Sequence, residues 1–189
     1  NNIDIIYYRL GILGGPESNK IKTAKRYLKI NFELLARFLK MLEKNTGIKK
    51  FIFDSSEQVF GDYGLLSKNT NNSEPLPMNY YGLSKLMCEK YLLNWYKKTN
   101  VPVDIFRYPR VVDKTSNDVI SQMIESCLKD KKIYIRDNPN RRISFLHLSD
   151  AVNANLKSIE KINTAYRTMN LSNNEDITIE NLAKKAAQK

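Results

Sequence analysis

The chain has 189 residues, 42% of them hydrophobic, and a formal net charge of +11 at pH 7. That length and apolar content suffice for one substantial core, which excludes a disordered chain and predicts one domain, or one domain with a smaller lobe. A basic field concentrates phosphate-bearing partners, but the lysines and arginines are scattered, with no aromatic-interleaved stripe and no zinc-finger or helix-turn-helix spacing, so no nucleic-acid partner is expected.

In chain order, "IDIIYY" is β-branched and aromatic and reads as a buried strand, followed by the turn-forming "GILGGPES". "YLKINFELLARFLKMLEK" places Leu28, Leu34, Leu35, Phe38 and Leu42 at three- and four-residue steps, which predicts a helix with an apolar face, stopped by Gly47. "KKFIFDSS" is a short strand apolar on both faces, as in the middle of a parallel sheet. After a loop rich in Asn, Ser and Pro over 67–79, "YYGLSKLMCEKYLLNWYKK" reads as a long helix and "VPVDIFRYP" as a third strand. Beyond Pro109 the pattern is a helix over 118–129, strands "KIYIRD" and "RISFLHL", a helix over 150–160, strand "YRTMNLS", and a last helix from Ile179 behind the capping candidate Thr178. Strands alternating with helices imply right-handed crossovers and an α/β fold with a parallel sheet.

Cys88 and Cys127 both fall in helix-like apolar patterns, which suits a reduced, cytoplasmic protein and no metal site. The longest apolar run is far shorter than a membrane span, and no signal-peptide order of basic, apolar and small residues is found, so no membrane partner is expected. The lone His147 reads as structural.

"FIFDSSEQVFG" places two hydroxyls, an acid and an amide at the end of a strand otherwise built for burial. Open parallel sheets bind ligands at the carboxyl ends of their strands, so Ser55, Ser56, Glu57 and Gln58 stand where chemistry is expected. Tyr81 and Lys85, four apart, project from one face of the next helix. A nearby ammonium favours the phenolate and makes the tyrosine a better base. Tyrosine with lysine four residues on is a weak signal in a chain with 11 tyrosines, but only Tyr81 among them has it, and Tyr81 opens the helix that follows the serine strand. A hydroxyl, a tyrosine and a lysine in this arrangement suit oxidation of an alcohol by hydride transfer to a nicotinamide.

The segments "FIFDSSEQVFGD", "PMNYYGLSKLMCEKYL", "IFRYPRVV", "RRISFLHLSDAVNA" and "MNLSNNEDITIENLA" together resemble the nucleotide-sugar epimerase and dehydratase branch of the extended short-chain dehydrogenases, in the family's order and over almost the whole chain. The resemblance implies a Rossmann-like parallel sheet, in part, with a smaller C-terminal α+β substrate-binding lobe. Residues 1–112 would form the cofactor domain, with NAD as cofactor and NADP as the alternative, and 113–189 a lobe interleaved with it. Tyr81 matches the catalytic tyrosine, Lys85 the lysine that contacts the nicotinamide ribose, and Ser56 the hydroxyl residue that positions the sugar. Ser55, Tyr108 and Pro109 fall among the cofactor contacts, and Gln58, Arg110, Arg141 and Arg142 on the substrate side, where a solvated basic turn is the competing reading for the arginine pair. Asn31 matches a helix asparagine, for which a structural role is expected. A homodimer is implied through the helices over 28–44 and 81–98.

The pattern also breaks. The family opens with a strand, a glycine fingerprint and a helix whose N-terminus holds the pyrophosphate; "GILGG" follows what matches the fourth strand and has the wrong spacing, so the resemblance implies a chain that begins inside the cofactor domain, without that βαβ unit. Tyr8, Arg9 and Asp113 stand at normally small positions. Hexose 4,6-dehydratases carry an acid pair after the hydroxyl residue; here Glu57 is an acid and Gln58 does not titrate, which favours epimerase (isomerase) over dehydratase (lyase), with a solvent-facing, inert Glu57 as the bland alternative. The expectation is an NAD-dependent nucleotide-sugar epimerase of surface polysaccharide or deoxysugar synthesis, against a dehydratase or a non-catalytic nucleotide-binding member of the fold.

Overall fold

The computed structural model describes residues 4–15, 17–44, 47–61, 73–113, 119–130, 132–135, 138–161, 164–172 and 176–188. The first strand is β1 (Ile5–Tyr8). It leads into one helical rod made of α1 (Ile21–Tyr27), a π-helical turn (Leu28–Glu33) and α2 (Leu34–Leu42), so the helix starts earlier than its apolar repeat and ends ahead of Gly47. The wide turn buries Asn31, whose amide accepts from the Ile12 N–H at 2.7 Å and donates to the Ile12 carbonyl at 3.2 Å and the Ser84 hydroxyl at 3.1 Å. These bonds describe the structural role expected of Asn31: it ties the 11–15 loop to the first helical rod and to the helix that carries Ser84.

β2 (Lys50–Ser56), a 3-10 turn (Glu57–Phe60), α3 (Tyr80–Thr99) and β3 (Val103–Tyr108) come next. Residues 62–72, which include part of the expected loop, lie outside the described residues. Asn79 starts α3 by accepting from the Gly82 N–H at 2.8 Å, and Asn100 ends it in the left-handed region at φ 56°. After Pro109 follow β4 (Arg110–Val112), α4 (Val119–Asp130), β5 (Arg142–Ile143), β6 (Phe145–His147), α5 (Leu148–Glu160), β7 (Tyr166–Asn170), β8 (Ile177–Thr178) and α6 (Ile179–Ala187). Thr178 caps α6 as predicted, accepting from the Asn181 N–H at 3.1 Å.

Two expectations are corrected. "KIYIRD" forms no strand over 132–135, and 136–137 lie outside the described residues; Ile133 and Ile135 instead pack on Met123, Ile143 and Ile179, so their alternation serves a small core without any ladder partner. "RISFLHL" is two short strands broken at Ser144, because β5 pairs antiparallel with β8 while β6 pairs in parallel with β4.

β1, β2, β3 and β7, in that order, form an all-parallel sheet, as the strand–helix alternation predicted. Successive residues of a strand face opposite sides. Tyr8, Phe51, Phe53, Val103 and Ile105 join Leu35, Leu39, Cys88, Leu92 and Trp95 of the helices in the main core, each fully buried apolar side chain contributing about 1.5–3 kcal/mol. The other face carries buried charges towards α5: Lys50 donates to Asp104 at 3.0 Å and to the carbonyls of Ser158 at 2.5 Å and Lys161 at 2.7 Å, and Arg167 reaches both oxygens of Asp104 at 2.8 Å. No helix among the described residues is long and apolar enough to cross a membrane.

Candidate active site

The carboxyl end of β2 and the first turns of α3 are pressed together by sequence. A Cβ on Gly82 would lie 2.2 Å from the Gln58 carbonyl, and one on Gly14 would lie 2.6 Å from the Tyr81 ring. Only glycines admit these approaches, and they bring the Ser56–Gln58 turn and the 11–15 loop against Tyr81. Gly61 closes the turn at φ +88°, where a side chain would also meet the Leu76 carbonyl at 2.6 Å.

Tyr81 is 5% exposed, with its ring 5.7 Å from that of Tyr27. Lys85 sits one turn on, its ammonium 5.9 Å from the Tyr81 ring and 4.9 Å from the Phe53 ring, and it donates to the Asp54 carbonyl at 2.8 Å. Burial pulls the Lys85 ammonium below its ordinary pKa, against the pull of Cys88, Asp54 and Glu89 in the other direction. Ser56 accepts from the Gln58 N–H at 3.2 Å, capping the 3-10 turn, and Gln58 accepts from the Asn79 amide at 2.9 Å.

Glu57 is 8% exposed, so the solvent-facing alternative is corrected. Burial pushes its carboxyl up to about 8, with Arg110 and Arg141 opposing and Asp176 reinforcing that shift. Arg110 and Arg141 line one cavity of about 440 Å³ together with Met123, Tyr134, Ile143 and Ile179. Arg142, the next residue along, turns away: it donates to the Asp176 carbonyl at 2.7 Å and lines a different cavity of about 430 Å³ beside α6.

Ser55 is buried and gives its hydroxyl to Glu89 at 2.5 Å. Tyr108, half-buried, accepts from Asn155 at 2.6 Å, and Pro109 is buried between β3 and β4. Tyr8 is a core residue stacked near Phe38, Phe51 and Phe53, while Arg9, 69% exposed at its side chain, pairs with Asp54 at 2.9 Å. Asp113 is half-buried just after β4. His147 caps α5, its ring nitrogen accepting from the Ser149 N–H at 3.2 Å. Asp54, Glu89, Arg107 and Asp176 were missed; their only signal in the sequence was a charge inside, or next to, an apolar run.

Fold and site together define the class: a Rossmann-like parallel sheet with a hydroxyl, a tyrosine and a lysine at its carboxyl rim. Residues 1–172 match the NAD dependent epimerase/dehydratase family, and the chain belongs to it. An uncharacterized UDP-glucose epimerase of Bacillus subtilis is 26% identical over 181 residues, covering 94% of this chain and 55% of that protein. A dTDP-D-glucose 4,6-dehydratase of Dictyostelium discoideum is 28% identical over 124 residues, covering 59% of this chain and 28% of that one. Among solved structures, a UDP-glucuronic acid 4-epimerase from Bacillus cereus in complex with NAD has the same fold, with a TM-score of 0.81 at 21% identity, covering 100% of this chain and 61% of that one. The chain thus spans about half the length of the curated relative that it matches over 94% of its own.

The residues present fit the nicotinamide-ribose end of that family's cofactor. The Lys85 ammonium carries three N–H groups and, among the described residues, gives one to Asp54, which leaves donors for a ribose diol beside Tyr81.

Proposed function

We propose that this protein is an NAD-dependent nucleotide-sugar epimerase, and that Tyr81 is its base. The observation that carries this reading is the packing of the turn after Ser56 on the start of α3, with the Gln58 carbonyl against Gly82 and the Tyr81 ring against Gly14, while the Lys85 ammonium holds the Asp54 carbonyl of β2. Ser56 holds the reacting sugar hydroxyl, Tyr81 takes its proton, and the Lys85 ammonium steadies the phenolate and the ribose. Bound NAD supplies the acceptor for the hydride that leaves the sugar carbon. A ketosugar formed there would be reduced again on its other face, with Tyr81 returning the proton to the sugar oxygen, so that no net oxidation would result. Arg110 and Arg141 in the 440 Å³ cavity offer planar donors for the substrate's diphosphate.

One observation favours the dehydratase as second reading: Glu57 is buried, and burial pushes its carboxyl up to about 8, which suits an acid that protonates a leaving hydroxyl. Its partner position is the non-titrating Gln58, so the epimerase stands first. The large apolar side chains left exposed on the first helical rod, Ile21, Leu28, Leu34 and Met41, support a homodimer through that surface.

Calorimetric titration with NAD, UDP-glucose and a dTDP-sugar, followed by product analysis with NAD present, tests the reading. Conversion to the C4 epimer supports it, and a 4-keto-6-deoxy product selects the dehydratase. Binding without conversion by the folded chain selects a non-catalytic role, and no binding of any of them sinks the proposal.

A further inference from the structure

We propose that Glu89 is a positioning residue of this site: through Arg107 and the Ser55 hydroxyl it holds the end of β2, with Ser56 and Glu57, against the helix that carries Tyr81 and Lys85. The role rests on the epimerase/dehydratase reading of that site.

Glu89 follows Lys85 by four residues and Tyr81 by eight, so the three side chains occupy successive turns of one face of α3. It is 2% exposed. One carboxylate oxygen accepts from the Ser55 hydroxyl at 2.5 Å and from Arg107 Nε at 3.0 Å, and the other from Arg107 Nη2 at 2.7 Å. The parallel register places Ser55 beside Arg107 and Ser56 beside Tyr108. The Arg107 guanidinium lies 4.8 Å over the ring of Phe60, the last residue of the turn that Glu57 opens. The Glu89 backbone carbonyl also accepts from the Tyr166 hydroxyl at 2.9 Å, which ties in β7.

One side chain therefore clasps the helix with the base, the strand with the hydroxyl and the turn with the acid. Stability alone is a weak reason for such a pair, because desolvating two charges offsets much of their attraction, and apolar replacements of similar volume are often as stable. An apolar cluster would lack direction. The bidentate fork sets distance and angle together, and positions are what Ser56 and Glu57 need.

The test is a carbon-13 titration of the labelled glutamate carboxyls in the full chain, with Glu57 assigned by its loss in E57Q, comparing wild type, E89Q and S55A. Circular dichroism establishes that each variant is folded. If the clasp holds the turn down, loosening it lets water reach Glu57, and its midpoint falls by about one pH unit or more in E89Q and by less in S55A. S55A alters no charge, so a shift there is positional. An unchanged Glu57 midpoint in the folded variants overturns the proposal, and if E89Q does not fold, S55A decides alone. The titration needs neither NAD nor sugar, so a chain that fails to turn over nucleotide sugars refutes the activity while the clasp is still read out, and the reverse holds too.

Discussion

At the residue scale, Glu57 couples the stability of the fold to pH. Its folded midpoint near 8 lies above the ordinary carboxylate value, so between about pH 4.3 and that midpoint the folded chain holds a proton that the unfolded chain has released. The unfolded state then binds fewer protons, and this group's contribution to stability falls as pH rises through that window. Glu57→Gln, neutral in both states, is expected to flatten the decline, measured as thermal midpoints from pH 5 to 8.5; the same slope in wild type and variant would refute a buried, proton-retaining Glu57. Tyr81→Phe removes the hydroxyl of the proposed base and leaves the ring packing on Tyr27. Turnover of a nucleotide sugar should fall by about 10²–10⁴-fold, the range for losing a positioned general base, with nucleotide-sugar affinity from calorimetry little changed. Tyr81, Lys85 and Ser56 were legible as residues because strand-end and one-turn spacings are local. Arg141 and Arg142 were not separable, since which of them faces Glu57 depends on how β5 pairs with β8.

At the element scale, the charged layer under α5 ties that helix to the sheet. Burial by itself would raise Asp104, but hydrogen bonds from Arg167, Ser158 and Lys50 outweigh it and hold the carboxyl at about 2. Its pKa is depressed, so its contribution is present above about pH 3.9 and is lost as pH falls from there through the folded value. Asp104→Ala leaves the Lys50 ammonium buried without its partner and should cost about 3–5 kcal/mol, read from urea unfolding. A loss under about 1 kcal/mol would mean that the two carbonyls on Lys50 suffice to hold it. Thr178→Ala should cost about 1 kcal/mol at the start of α6. Helices α3, α4, α5 and α6 were legible within a few residues from apolar spacing and caps. The π turn and the irregular run over 132–135 were not, because Asn31 and Ile133 answer to partners distant in the chain rather than to local propensity.

At the scale of the whole molecule, a ligand that binds only the folded chain stabilises it by mass action, by about 2.7 kcal/mol at a hundredfold excess over its Kd. A nucleotide sugar should thus raise the thermal midpoint by several degrees, since about 1 kcal/mol moves a domain of this size by about 2–4 °C. No shift at saturating UDP-glucose and dTDP-glucose would argue against the substrate half of the proposal. Met41, 77% exposed on α2, is the probe for the dimer: Met41→Glu should turn a dimer into a monomer in sedimentation velocity, and a wild type that sediments as a monomer would sink the dimer.

Strand and helix periodicities, caps and the order of elements are properties of short segments, so the sequence by itself determined the parallel α/β class, most element positions and the Ser56, Tyr81 and Lys85 candidates. The packing of the turn after Ser56 on Gly82 and of Tyr81 on Gly14, the burial that raises the Glu57 carboxyl, the turning of Ser55 towards Glu89 and the parting of Arg141 from Arg142 were decided only by tertiary structure. Each depends on which distant backbone or charge a side chain meets once the sheet and its helices are packed, and spacing along the chain does not encode that.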